Sequence, residues 1–287
     1  HAYAAAGTYT TTLVVTNVCG ASAASAKSVL VLDRPQANFV APASGCVSAQ
    51  VSFTDASTAT PTSWQWNFGD GNTSNVQNPT HIYAAAGAYA VTLVAVNACG
   101  TSDPVSKNLT VLGIPAASFT HNAPQCLGTA VLFTDASSGT ITGRSWNFGD
   151  GLGTSSLQNP SYTYMKAGTY TVTLRAYNSC GVSAPFSRQV AVPRPPATAF
   201  SAPSDACVGA LLAFTDESQY APASWQWDFG DGNVSTAQNP AHAYAAAGSY
   251  TATLTAANAC GSGSAVSKTV TVYAPIAASF AHSAPTC

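Results

Sequence analysis

The sequence predicts an all-β fold, a series of tandem Ig-like β-sandwich domains arranged end to end. Three observations carry that prediction. The phrase Trp66-Asn67-Phe68-Gly69-Asp70-Gly71 returns at 146–151 and, with Asp228 for the Asn, at 227–232, so Phe68, Phe148 and Phe229 mark a nearly constant pitch. Within each repeat apolar residues alternate with period two rather than 3.6, which marks strands. Turn residues punctuate the alternating runs, giving about seven short strands per repeat, the number an Ig-like sandwich uses.

The elements follow in order through one repeat. Val51-Ser52-Phe53-Thr54 reads as one strand, and Trp64, Trp66 and Phe68 fall on one face of another. Gly69-Asp70-Gly71 and Asn78-Pro79 signal turns. The run Tyr83-Ala84-Ala85-Ala86-Gly87 is too short to hold a helix unaided, and its Gly suits a turn. Residues 89–96 alternate as a buried strand, and 108–112 close the domain. Trp66, Trp146 and Trp227 are expected to fill one core each, and burying such a ring stabilises by about 3 kcal/mol. Asp70, Asp150 and Asp231 are expected to tie the tight turn through backbone N–H groups.

The domain reading is 1–35 (the C-terminal part of a domain), 36–113, 114–195, 196–275, and 276–287 (the first strand of a further one). Residues 1–7 echo 81–87 and 242–248, so the sequence reads as a window on a longer array, with any targeting signal outside it. A second, doubled period relates Trp64 to Trp225 and His81 to His242, so two domain types alternate. Repeat two has Arg144 where the others have the first Trp of Trp-Gln-Trp, and it also collects Met165, Lys166, Arg175 and Arg188.

Charged residues make up only 7% of the chain, against roughly 25% in ordinary domains, and the net charge is −2. No basic patch could track a phosphate backbone, which argues against a nucleic-acid partner. No run of about 18 apolar residues exists, so no membrane span lies in this window. A nearly neutral surface is poorly protected against self-association, and copies of the same chain are the first partner expected.

Three motifs recur in register: Trp-x-Phe-Gly-Asp-Gly (66–71), Asn-Pro-x-His-x-Tyr (78–83) and Gly-x-Tyr-x-Val-x-Leu (87–93). Repeat three carries them at 227–232, 239–244 and 248–254, with Ala252 for the Val, and repeat two has Tyr162 in the His place. This pattern resembles the PKD (polycystic kidney disease) domain. The resemblance implies an Ig-like sandwich found mostly outside cells, in surface proteins and beside secreted hydrolases, serving as spacer, adhesion or substrate-contact module. Some members bind calcium. Asp55, Asp135 and Asp216, which recur in Phe-Thr-Asp and otherwise read as Asx-type turns, are the candidates should calcium bind here.

The eight cysteines fall into two sets. Cys19, Cys99, Cys180 and Cys260 follow the long strand in Asn-x-Cys-Gly, while Cys46, Cys126, Cys207 and Cys287 precede the strand of Phe53 and its counterparts. None has zinc-site spacing, and pairing outside the cytosol is the better reading. In an Ig-like sandwich the second and sixth strands run in the same direction, which sets Cys46 and Cys99 at opposite poles. Strands of this length span about 17–20 Å, whereas a disulfide needs Cα atoms within about 7 Å. End-to-end stacking instead brings Cys46 to Cys180 and Cys126 to Cys260, and sends Cys19, Cys99, Cys207 and Cys287 to partners beyond the window. Pairing inside one domain through an altered topology, and pairing between neighbouring chains of a fibre, both stay open.

Catalytic signatures are missing: there is no Gly-x-Ser-x-Gly, His-Glu-x-x-His or phosphate-binding loop, and Asp216-Glu217 is the only adjacent carboxylate pair. His1, His81 and His242 repeat one position and His121 and His282 another, which suits capping or packing and not a metal site. Asn72, Asn108 and Asn233 begin N-glycosylation acceptor triplets. The expected function is a non-enzymatic extracellular or cell-surface rod, fibre or stalk without cofactor. The alternative is a spacer or binding region of an adhesin or secreted hydrolase that touches polysaccharide or a surface protein. Trp64 and Trp225 would be its contacts if exposed, although they share a strand face with Trp66 and Trp227.

Overall fold

A computed structural model describes residues 1–282. Every regular element among them is a β-strand. The described residues form two compact units, one of His1–Ser118, Ala136–Ser145 and Arg175–Pro185, the other of Phe119–Asp135, Trp146–Leu174 and Phe186 onward. The division passes through repeat two.

In the first unit, Gly7–Leu13 pairs with Ser25–Val31 in an antiparallel hairpin. Repeat one follows as a sandwich. Its larger sheet runs in the order Thr73–Ser74, Ser63–Asn67, Gly87–Asn97, Val105–Leu112, Ser44–Cys46, with Gly100–Thr101 paired to the long strand. Two short ladders, Phe39–Val40 with Thr54–Asp55 and Gln50–Ser52 with Thr80–Ile82, supply the other layer. The period-two pattern has its physical outcome in Gly87–Asn97, where Val91, Leu93, Ala95 and Asn97 point inward and are buried. Trp66 lies opposite Leu93 and Trp64 opposite Ala95. The Trp66 ring meets Phe39 edge-on at 5.1 Å and Phe53 at 5.8 Å between centroids, and its Nε1 donates to the Val76 carbonyl at 2.9 Å.

The second unit carries a matching core around Trp227, with Phe200, Phe214, Phe229, Tyr244 and Leu254. Trp146 is likewise fully buried, edge-on to Phe119 at 5.0 Å.

In repeats one and three a short strand places a cysteine at the domain end. Ser44–Cys46 runs parallel to the end of Val105–Leu112 and places Cys46 beside Leu112, the last strand residue before the linker. Asp205–Cys207 does the same for Cys207 beside Tyr273. Repeat two has Pro124 at this place, and 122–126 carry no strand. The segment keeps the bond that its counterparts also make: the Leu127 amide donates to the Pro193 carbonyl at 2.8 Å, as Val47 does to Leu112 and Val208 to Tyr273. Of 276–287, expected to form the first strand of a further domain, residues 276–282 carry no strand, and 283–287, including Cys287, lie outside the described residues.

The recurring turn needs its glycine for two reasons. Gly149 has φ +83°, and a Cβ there would sit 2.4 Å from the Thr171 carbonyl oxygen. Gly151 has φ +79° with open space around it. Replacing Gly149 by Ala is therefore expected to cost roughly 2–4 kcal/mol, against about 1 kcal/mol for Gly151→Ala. Urea unfolding followed by Trp fluorescence checks the order, and equal losses would show that the close approach does not matter.

Candidate functional site

The residues that gather at the domain ends are those of the Asn-x-Cys-Gly turn. Asn178 ends the long strand of repeat two, and both ends of its amide group are engaged. Its Oδ1 accepts from the Cys180 amide at 2.8 Å. Its Nδ2 donates to Gly113, in the linker, at 2.8 Å and to Thr140 at 3.0 Å. Asn97 binds Cys99, Asp33 and Ala59 in the same way, each at 2.8 Å. Asn258 binds Cys260, Arg194 and Tyr220. One side chain thus fixes the cysteine's turn, the incoming linker and a loop at the same pole. Gly181 has φ +145°, and a Cβ on it would approach Ile114 to 3.2 Å, so the linker packs directly on the turn.

On this frame stand the disulfides. Cys46 bonds Cys180, and Cys126 bonds Cys260, each with Cα atoms 5.5 Å apart and partners 134 residues apart in sequence. Each joins one repeat to the next. Cys19, Cys99 and Cys207 are exposed thiols among the described residues, and the Cys99 Sγ lies 3.1 Å from the Leu32 carbonyl oxygen.

The turn aspartates are acceptors in a packed lock. Asp70 accepts from the Asn72 amide at 3.0 Å and from the Asn72 side chain at 3.1 Å, and its Oδ2 lies 2.6 Å from His81 Nε2. The His81 ring stacks on Phe68 at 4.3 Å. Asp231 and His242 repeat this at 2.8 Å, and in repeat two the Tyr162 hydroxyl donates to Asp150 at 2.5 Å. Burial alone would raise Asp70, but hydrogen bonds from His81 and Asn72 outweigh it and hold the carboxyl below its ordinary 3.8. Asp150 and Asp231 are lowered by the same balance. The bond to Asp150 pushes the Tyr162 hydroxyl up to about 12.

Asp55 and Asp216 have neutral partners. Asp55 Oδ1 accepts from the Ser57 amide at 3.0 Å, while Oδ2 accepts from Trp64 Nε1 at 2.8 Å and Gln77 Nε2 at 3.2 Å. Asp216 holds Ser218, Trp225 and Gln238 likewise. Asp135 donates its amide to Asn159 at 2.9 Å. No cluster of three His, Cys, Asp or Glu suited to a metal occurs among the described residues. Trp64 and Trp225 are half-buried against the cores, with the indole N–H already bonded. Asn72 and Asn233 are exposed, with their amides tied to Asp70 and Asp231. Asn108 is exposed on the strand Val105–Leu112. His121 Nδ1 accepts from the Ala123 amide at 3.2 Å.

Sequence reasoning singled out the cysteine of Asn-x-Cys-Gly and missed its asparagine. The signal was there: Asn17, Asn97, Asn178 and Asn258 recur as regularly as the cysteines.

These are tandem Ig-like β-sandwiches cross-linked at successive junctions. The chain belongs to the PKD-domain family, whose profile matches at 32–111, 114–193 and 192–273. Collagenase ColA of Bacillus cereus is 33% identical over 94 residues, which is 31% of this chain and 10% of that protein. The chain therefore spans a tenth of the length of this curated relative. Among solved structures, immunoglobulin domains 1–5 of Sidekick-1 align over 94% of this chain and 67% of theirs, with a TM-score of 0.38 and 16% identity, too loose a likeness to carry an argument.

Two expectations follow. Asn178→Ala leaves the Gly113 and Thr140 carbonyls and the Cys180 amide without their partner. It is expected to cost about 2–4 kcal/mol and to speed hydrogen exchange at the Cys180 amide, and unchanged exchange there would contradict the clamp. The lowered aspartates stabilise the fold above their ordinary value of 3.8, and that stability is lost as pH falls through the lower folded-state values. Acid titration of the unfolding midpoint is expected to show a drop below about pH 4, and a shallower one in a chain with Asp70 and Asp231 both changed to Asn.

Proposed function

We propose that this chain is a non-enzymatic structural segment of an extracellular or cell-surface protein, a rod, fibre or stalk whose neighbouring domains are stapled together and which assembles with copies of itself. The observation that carries the reading is the connectivity of Cys46–Cys180 and Cys126–Cys260, which links repeats to one another instead of closing each one. Disulfides persist in oxidising surroundings, which suits a place outside the cell. A surface of few charges favours lateral contact between copies. Three exposed cysteines of the same two sets leave the chain equipped for further staples.

The likeness to a collagenase favours a second reading, a spacer or substrate-contact region of a secreted hydrolase. In that case polysaccharide or a surface protein would be the partner, and Trp64 and Trp225 the contacts to test. Negative-stain electron microscopy of native, unreduced material separates the two. Uniform filaments with a period of one or two domains are expected on the structural reading. Isolated beads tethered to a larger globular body would overturn it in favour of the spacer.

A further inference from the structure

We infer that the two disulfides act together as a strain limiter, a covalent by-pass that caps how far the chain can be stretched even when every domain is pulled open. The inference deepens the structural reading and rests on it for the load that such a device would bear. Its physical content is connectivity. The loops closed by Cys46–Cys180 and Cys126–Cys260 interleave, because 126 lies inside the first and 180 inside the second.

Consider tension applied across Cys46 and Cys260. The backbone between them, stretched straight, measures roughly 730 Å. The shortest covalent route is different. It crosses the first disulfide to Cys180, returns along the backbone to Cys126, and crosses the second disulfide to Cys260. Only the segment 126–180 is then taut, and it reaches roughly 180 Å. The bonds therefore withhold roughly 550 Å of extension. The load enters repeat two at Cys180 and leaves at Cys126, in reverse chain order.

Interleaving makes the two bonds redundant in a measurable way. Without the first, the taut segment becomes 46–126; without the second, it becomes 180–260. The two segments are equal in length, so either loss sets the limit at roughly 270 Å and releases only about 90 Å. Loss of the remaining bond then releases about 460 Å more. Disulfides closed inside each repeat would behave otherwise. Pairs 46–99, 126–180 and 207–260 would leave 99–126 and 180–207 taut, which also sums to roughly 180 Å. Removing Cys46 and Cys180 would then open two of the three bonds together, leave all of 46–207 taut, and release about 370 Å.

The test is single-molecule pulling of the whole chain through enzymatically ligated handles at both ends, leaving every thiol unused by the attachment. Fully stretched length is read, which does not depend on how stable any domain is. A phosphine reductant is expected to lengthen the stretched chain by roughly 550 Å. The variant carrying Cys46→Ser and Cys180→Ser is expected to gain only about 90 Å over the parent, and so is the variant carrying Cys126→Ser and Cys260→Ser. No gain on reduction, or a gain of about 370 Å in the first variant, would overturn the proposal. Microscopy showing beads on a globular body would leave these lengths intact and remove only the load, so the two failures are distinguishable.

Discussion

A disulfide closes only when its Cα atoms approach within a few ångströms, and each stapled junction is organised around that reach. Cys46 is delivered by a three-residue strand in parallel register with the end of Val105–Leu112. Cys180 is delivered by a turn whose geometry Asn178 sets. Because the same asparagine also holds Gly113 and Thr140, the cysteine cannot swing without breaking the linker's anchorage. Local hydrogen bonding therefore pre-organises a contact between residues 134 apart, and the entropy of ordering the turn is offset by bonds the turn makes anyway.

The few charges follow the same logic of local satisfaction. Lys107 lies over the Phe39 ring at 5.0 Å and bonds Asn38 Oδ1 and the Phe39 carbonyl. Lys268 over Phe200 and Arg188 over Phe186 occupy the corresponding strand in the other repeats. Arg194 covers Tyr220 at 4.2 Å, beside the Asn258 clamp. Cations thus cap aromatic edges of the cores and the junction, where long aliphatic stems cover apolar surface and the charged head reaches water. Thr, Ser and Ala fill many of the remaining outward positions, as along Gly248–Asn258 with Ser249, Thr251, Thr253 and Thr255, which keeps the surface nearly neutral.

The fold was legible because its signals are local. Alternation, tight-turn glycines and the aromatic phrase all act over a few residues and repeat three times, so chance matches are suppressed. The Asn clamps were not legible, because the carbonyls they bind lie 65 and 38 residues away for Asn178 and a carbonyl has no sequence signature. Trp64 shows the intermediate case. Its strand face follows from period two, but its indole partner is Asp55 on another strand, a carboxylate that also accepts from Gln77.

Repeat two shows how the turn absorbs change. In repeat one the Phe68 amide donates to Asn72; in repeat two the Phe148 amide donates to Gly153, one position further on. That insertion accounts for the slightly wider spacing from Phe148 to Phe229 than from Phe68 to Phe148. A Cβ on Gly153 would lie 2.4 Å from the Tyr162 ring, which stacks on Phe148 at 4.2 Å, where His81 stacks on Phe68. The larger ring reaches Asp150 through its hydroxyl, and the glycine makes the room. His-to-Tyr, the insertion and the glycine are therefore one coupled substitution that keeps the aspartate lock closed. Gly153 and Tyr162 follow from packing here, so departure from the repeat does not by itself mark a binding surface.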